Sequence, residues 1–514
     1  MTSTIVIAAF ELGFGGATAA IVDQTRLFTD HGMRVVVATF APSPAAMERG
    51  RALQAEGEIP PTVELRNVHD DFRRRNAAMA PLAVARRRAR DLRRRWRARG
   101  QTVTTSTRDG VRVDEYCRGD RLAATVRYSR GGVPVERELP LPSGGVLVDH
   151  LWRGDTYMRQ WFDADRRLTR EKFLTPDAFA FLSRVVDPAT GKSRELIRHD
   201  RFPRRSTAVK GLPAWHAAWL QSIVDACDGI PVVIGESQGV VSHVSKLRPG
   251  SAVRIGMFHA THLEPPYHHD SEVRRKHREA FAKSAGLERI VAVSEGQAAS
   301  IAALVAHPEK VRTIPNPVVS EPVSGVARDP RLVTVVSRLH PLKAVPDAVA
   351  AFAQVVAAVP DARLEIHGRG PDRARVKAAI EKHGLRKSVL LRGRTSRPRE
   401  VMAASVCTVS TSQSETMGLS IAESCLQETP VVAYDCLFGP AELIDNGVTG
   451  RLVPLGDVDA LAAAIIAMLE DPEGARRMGV RAKKRLEDEL SPERAWARWR
   501  VLIDEASREV AARA

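Results

Sequence analysis

The sequence predicts an α/β protein of two Rossmann-like domains facing a cleft, with a β-rich module inserted in the first domain. Three observations carry this. Residues 4–39 read as strand, glycine-rich turn, helix and strand. Between about 109 and 200 the texture changes to short alternating segments divided by Gly-Asp, Gly-Gly and Ser-Gly turns. Strand–helix texture then returns in two stretches, separated by the proline-rich segment 316–331.

In chain order, TIVIAAF is an apolar strand, ELGFGGATAA a glycine-rich turn, AIVDQTRLFTDHG a helix with a glycine stop, and MRVVVATF the second strand. Beyond the arginine run RRRARDLRRRWRAR at 86–99, segments such as DGVRVDEYCRGDRLAATVRYSRGGVPVERELPL read as an antiparallel meander. From about 212 come the helix WHAAWLQSIVDAC and the strands PVVIGE, AVRIGMFHA and RIVAVSE. The second α/β stretch runs through LVTVVSRL, the helix VPDAVAAFAQVVAAV and the strands ARLEIHG, VLLRG and VCTVSTS. It continues with the helix GLSIAESCLQ, the strand PVVAYD and the helix DALAAAIIAMLED. The final segment, SPERAWARWRVLIDEASREVAARA, opens with a Ser cap and a Pro at the first helical position, so it predicts a long terminal helix crossing back over the first domain. The domain assignment is therefore 1–64 with 211–325 for the N-terminal Rossmann-like domain and 65–210 for the inserted module with its basic helix. Residues 326–490 form the C-terminal Rossmann-like domain and 491–514 the terminal helix. Parallel-sheet domains of this kind hold ligands at the carboxyl ends of their strands.

At 514 residues the chain exceeds one ordinary core. No apolar run reaches the roughly 18 to 20 residues that cross a bilayer. The first residues lack a basic region and read as a strand instead of a signal peptide. Five scattered cysteines without a CxxC pair fit reduced thiols in the cytoplasm and argue against a disulfide or zinc framework. Lys plus Arg number 77 against 61 Asp plus Glu, a net charge of +16, and such a field attracts polyanions or an anionic membrane surface. Nucleic acid is not the expected partner. Only Trp96 interleaves the arginine run, which reads equally well as a solvated helix face.

The stretch SQSETMGLSIAES places Glu415 and Glu423 eight residues apart, with Gly418 at a loop-to-helix junction between them. Upstream, VVSRLHPLK puts Arg338 and Lys343 just after a strand. Two cations after a strand and two carboxylates bracketing a helix start are what a sugar-nucleotide site requires. Fixed positive charge stabilises a departing diphosphate, the helix start adds backbone N–H groups, and carboxylates hold sugar hydroxyls by charge-assisted hydrogen bonds. Any one of these side chains alone reads as surface charge; the conjunction is the signal.

SRLHPLK, the HGRGP turn at 367–371, SETMGLSIAES and NGVTGRLVP together resemble retaining glycosyltransferase family four, whose fold is GT-B. The resemblance covers residues 330–475 and, more loosely, the N-terminal unit and VSEGQ…IPNPV. YDCLFGPAELIDNGVTG is similar to the poly(glycerol-phosphate) α-glucosyltransferases of wall teichoic acid, which also carry a β-rich module in the first domain. The resemblance implies a hexose or N-acetylhexosamine moved from a UDP-sugar, with retention, to an anionic glycerol- or ribitol-phosphate polymer. It implies that Arg338 and Lys343 clamp the donor diphosphate, Glu423 binds ribose and Glu415 lies beside the transferred sugar. Gly15 and Gly16 bring backbone N–H groups to the phosphates, with Gly418 and Leu419 at the other helix start. A histidine from MFHATHLEPPY touches the donor sugar, His262 being favoured over His259. Where similar sequences read E-G-F-G, this chain has Glu415-Thr416-Met417-Gly418.

With Arg and Lys in the leaving-group role, no metal or other cofactor is expected; Asp457-Val458-Asp459 reads as a helix cap, and the histidines 259, 262, 268, 269 and 277 fit no standard zinc spacing. Contacts between copies through the β-module and attachment to the inner membrane face are further expectations. Three competing readings are a transferase with a small-molecule, lipid or protein acceptor, a degenerate polyanion-binding protein, and a serine hydrolase. The last rests on GESQG at 235–239, which matches a nucleophile elbow with Ser237 at a strand-to-helix turn.

Overall fold

The structure is a computed structural model that describes residues 3–13, 16–77, 102–108, 110–319 and 323–513. Gly15 and the arginine run at 86–99 lie outside the described residues. The chain divides into two compact units. One comprises Met1–Gly13, Met33–Val233 and Ser242–Ala252; the other comprises Phe14–Gly32, Ile234–Val241 and Val253–Ala514.

In the first unit, strands Thr4–Ala9, Arg34–Thr39 and Glu64–Asn67 pair in parallel, with Thr4 opposite Arg34 and Val36 opposite Glu64. All six residues of Thr4–Ala9 are buried, which is why that strand is apolar throughout instead of alternating. Residues 102–208 form ten antiparallel strands paired strictly with their chain neighbours, an up-and-down meander. Its interior carries buried charge. Asp149, on strand Val146–Trp152, stands opposite Arg137 on one side and Arg159 on the other. It accepts from Arg159 Nε at 2.6 Å and pairs with Arg137. Asp114 is likewise buried and accepts from Arg112, Thr105 and the Tyr128 hydroxyl. A carboxylate without exposure is tolerated here because its oxygens are matched by donors from adjacent strands. Helices Val68–Asn76 and Leu212–Val224 bring His69, Trp215 and His216 against Phe40, Phe173 and Phe181, one aromatic cluster shared by the parallel strands and the meander.

In the second unit, strands Val253–Phe258, Arg289–Ala292 and Val311–Thr313 are parallel. A separate parallel sheet runs in the spatial order Val389–Gly393, Arg363–His367, Asp329–Val336, Ser405–Ser410, Val431–Asp435, Arg451–Pro454. In chain order that is 3-2-1-4-5-6, so the strand order reverses between Asp329–Val336 and Ser405–Ser410. The crevice outside the carboxyl ends of those two strands is where doubly wound sheets take ligands. Segment Pro341–Ala358 is long and apolar enough, by composition, to cross a bilayer, contrary to the sequence expectation. It buries Val345, Ala348, Val349, Phe352 and Val355 in the core of this unit, as a core helix does. Asp457 caps the helix Val458–Glu470 by accepting from Ala460 N at 2.8 Å. The terminal helix Pro492–Ala511 packs Trp499 edge-on against Phe28 of helix Gly16–Asp30, with ring centroids 5.4 Å apart.

Several buried histidines are held neutral. Burial and the neighbouring His243 push His216 down to about 3. Burial pushes His262 and His277 to about 4, with Arg274 adding repulsion to both. Below pH about 6.5 the unfolded chain takes up protons that the folded chain refuses, so stability is lost as pH falls from there towards the folded values. Each unfolded imidazole is already half-protonated at pH 6.5, so each group removes about 1 kcal/mol, and the three together about 3 kcal/mol, between pH 6.5 and 5.5. Urea unfolding is therefore expected to show a lower midpoint at pH 5.5 than at pH 7.5; an unchanged midpoint contradicts the neutral, buried assignment.

Candidate functional site

The site is built on the second unit, at the reversal of strand order. Strand Asp329–Val336 ends in Ser337-Arg338-Leu339, and this turn is pinned by the glycine turn that follows strand Arg363–His367. Ser337 N donates to His367 O at 3.0 Å, Leu339 N to Arg369 O at 3.0 Å, and Asp372 N to Leu339 O at 3.0 Å. The two backbones lie so close that a Cβ at Gly368 would overlap Ser337 O, and one at Gly370 would overlap Leu339 O. Glycine is thus a steric requirement of HGRGP. Arg338 emerges from this turn exposed, and it makes no ion pair with another described residue.

Lys343 and Glu415 meet. The lysine ammonium is paired with Glu415 Oε1, and Ser412 Oγ donates to the same oxygen at 2.7 Å. Both side chains are largely buried. The loop that carries the glutamate is tied to the lysine's own loop, because Gln413 N donates to Leu342 O and Thr411 Oγ1 to Lys343 O, each at 2.8 Å. From the other side, Ser414–Glu415 pairs in parallel with Leu437–Phe438, and Gly439 N donates to Glu415 O at 3.1 Å. A Cβ at Gly439 would overlap Met417 O, so the CLFGP segment braces the loop by direct backbone contact.

Gly418, at φ 92°, turns the chain into helix Leu419–Leu426. That φ is the left-handed region that favours glycine. A Cβ at Gly16 would sit 3.4 Å from Leu419 Cδ1, so the starts of helices Gly16–Asp30 and Leu419–Leu426 adjoin each other. Glu423, one turn on, is half-buried; burial raises its pKa, opposed by Arg399. It lines a cavity of about 50 Å³ together with Ala19, Asp23, Arg399 and Leu419. Arg338, Lys343, Glu415, Gly16, Gly418, Leu419 and Glu423 all fall in this one unit. A larger cavity of about 800 Å³, lined by Ile314, Met417, Gly439, Arg494 and Leu502 among others, contains none of them.

The two histidines differ. His262 is fully buried, its Nε2 is 2.9 Å from Ser300 Oγ, and its ring stacks on Phe438. It is packed as a core residue, which contradicts the preference for it as a ligand contact. His259 follows strand Val253–Phe258, and its carbonyl accepts from Thr416 Oγ1 at 2.8 Å, directly beside Glu415. Its Nε2 is bonded to Glu236 Oε2. Glu236 belongs to GESQG, and sequence reasoning missed it because attention fell on Ser237. Ser237 starts the short helix Gln238–Val244 and bonds no histidine; its neighbour takes the histidine instead, which leaves the hydrolase reading without a triad. Glu442 was also missed. It caps helix Glu295–Ala302 by accepting from Glu295 N and Gly296 N. Among the described residues, His, Cys, Asp and Glu side chains form no group of three or more suited to a metal.

Residues 320–485 match the family Glycosyl transferases group 1. The poly(glycerol-phosphate) alpha-glucosyltransferase of Bacillus subtilis is 26% identical over 53% of this chain and 41% of its own length. The poly(ribitol-phosphate) alpha-N-acetylglucosaminyltransferase of Staphylococcus aureus is 24% identical over 68% of this chain and 69% of its own. The chain thus spans about two fifths of the first relative and about two thirds of the second. Among solved structures, a Staphylococcus aureus TarM mutant in complex with fondaparinux, alpha-GlcNAc-glycerol and UDP superposes with a TM-score of 0.81 at 19% identity. That superposition covers 98% of this chain and 99% of the other. The fold is GT-B, as the sequence predicts.

The glycine contacts generate a direct test. Gly368→Ala is expected to cost about 2–4 kcal/mol in urea unfolding, because backbone must move to admit the methyl group. Gly239→Ala, in a helix with nothing within 4 Å of the new carbon, is expected to be neutral or stabilising. Equal effects of the two substitutions would contradict the close backbone approach.

Proposed function

With residues 320–485 a glycosyl transferases group 1 domain on a GT-B fold, we propose that the chain is a retaining glycosyltransferase. It moves a hexose or N-acetylhexosamine from a UDP-sugar to an anionic polymer of the glycerol- or ribitol-phosphate, teichoic acid type. The observation that carries the reading is the meeting of Lys343 with Glu415 at the reversal of strand order, on the segment that follows the turn of Arg338.

Arg338, exposed and without an ion pair among the described residues, and Lys343 neutralise the diphosphate as the bond to the sugar breaks. The adjoining helix starts at Gly16 and Gly418 offer backbone N–H groups to the phosphates. Glu423 holds the ribose. Glu415 and a histidine hold the transferred sugar; the full burial of His262 supports His259 for that contact. The acceptor oxygen bonds to the anomeric carbon on the face from which UDP departs, and the acceptor proton passes to the departing phosphate oxygen. Two cations in the leaving-group position leave no task for a metal.

The anionic acceptor is supported by the net charge of +16 and by the acceptors named for the two relatives. Binding of such a polymer is electrostatic, and transfer to it therefore falls with rising salt. The same charge supports a cytoplasmic location against the anionic inner membrane face.

UDP at a hundred times its dissociation constant is expected to stabilise the wild-type chain by about 2.7 kcal/mol in thermal-shift experiments. GDP and ADP are expected to do less, and Lys343→Ala to lose the UDP effect. No shift with any nucleotide contradicts the donor assignment. Arg338→Ala is expected to lower kcat more than donor affinity; a pure affinity loss contradicts its role in leaving-group stabilisation.

A further inference from the structure

Glu236, the partner of His259, is the residue near the site that the donor assignment leaves without a role. Glu236 follows strand Val232–Gly235 and His259 follows strand Val253–Phe258, so both stand at carboxyl ends of strands. Their side chains are nine-tenths or more buried, 1% exposed for Glu236 and 9% for His259. One oxygen of Glu236 is bonded to His259 Nε2. The second oxygen, Oε1, and the second ring nitrogen, Nδ1, are buried and have no hydrogen-bond partner among the described residues.

Two polar atoms buried without partners in one bonded pair carry a desolvation penalty unless a ligand meets them. A carboxylate oxygen accepts, and a ring nitrogen accepts or donates according to whether it carries a proton. A hydroxyl group, which both donates and accepts, matches both open positions. The hydrogen bond from Thr416 to the His259 carbonyl fixes this pair next to the chain segment of Glu415.

We propose that Glu236 is the residue that positions His259 in its contact with the transferred sugar, fixing the ring orientation, and that its second oxygen accepts from a hydroxyl group of that sugar. This rests on the donor assignment above. It assigns a sugar-selecting role to GESQG, in which Glu236 and not Ser237 is the functional residue. Nucleotide affinity then depends on Arg338, Lys343 and Glu423, whereas discrimination among UDP-sugars depends on Glu236 and His259.

The test compares UDP with UDP-glucose and UDP-N-acetylglucosamine on wild type, Glu236→Ala and Glu236→Gln. It uses calorimetric affinity and, for the preferred sugar, kcat and KM. UDP affinity is expected to stay within about threefold in both variants, which also reports that they are folded. Glu236→Ala is expected to remove the affinity gained from the sugar and to lower kcat/KM at least about 100-fold, the size of effect that lost polar contacts to a substrate hydroxyl produce. Glu236→Gln, whose amide oxygen still accepts from His259 Nε2, is expected to recover about tenfold of that loss. Nitrogen-15 NMR of the wild type should show a protonated Nε2 on His259, hydrogen-bonded to Glu236, with that signature lost in Glu236→Ala. Equal loss of UDP and UDP-sugar affinity, or unchanged sugar discrimination in Glu236→Ala, overturns the inference while leaving the donor site standing. A wild type that binds neither UDP nor UDP-sugar overturns both.

Discussion

Backbone packed directly against backbone is the constraint on which the site depends. The turn bearing Arg338 lies against Gly368 and Gly370, and the loop bearing Glu415 lies against Gly439, with no room for a side-chain carbon at any of these positions. Glycine costs chain entropy wherever it occurs, so three such contacts around two loops mean that position there outweighs local stability. The return is rigidity. Arg338 leaves a turn whose backbone is pinned, and Glu415 is held from both sides by main-chain hydrogen bonds before any ligand arrives. Charge that need not reorganise is what electrostatic stabilisation of a departing diphosphate requires.

The two units handle buried charge differently. In the meander, Asp149 and Asp114 have their oxygens matched by arginine, threonine or tyrosine donors from the strand ladder. Such closed networks specify register and have no capacity left for a ligand. At the site, Lys343 and Glu415 satisfy each other, while Glu236 and His259 are satisfied only in part. A partly satisfied network is costly in a folded protein, and active sites are where that cost is tolerated.

Much of this was legible in the sequence, for physical reasons. A strand such as TIVIAA is apolar because both its faces are buried, and a glycine at Gly418 marks the left-handed turn into a helix. The alternating segments after residue 109 became the antiparallel meander because alternation is what a half-buried strand requires. Arg338 and Lys343 stand out in the sequence because they follow a strand, and Glu415 and Glu423 because they bracket a helix start. What escaped was pairing between distant segments. Glu236 and His259 are 23 residues apart, and nothing in their spacing says that one oxygen meets one nitrogen. Choosing His262 failed because a neighbouring leucine carries no information about burial. The apolar helix within Pro341–Ala358 shows the converse, since composition alone does not tell a core helix from a membrane span.

The central claim is transfer with retention from a UDP-sugar by the Arg338–Lys343–Glu415 constellation. The most direct measurement is proton NMR of the product formed from UDP-glucose or UDP-N-acetylglucosamine and a glycerol-phosphate polymer. The account predicts an α-linked sugar on the polymer with wild-type protein and none with Arg338→Ala. A β-linked product, or free sugar without transfer to any acceptor, would contradict it.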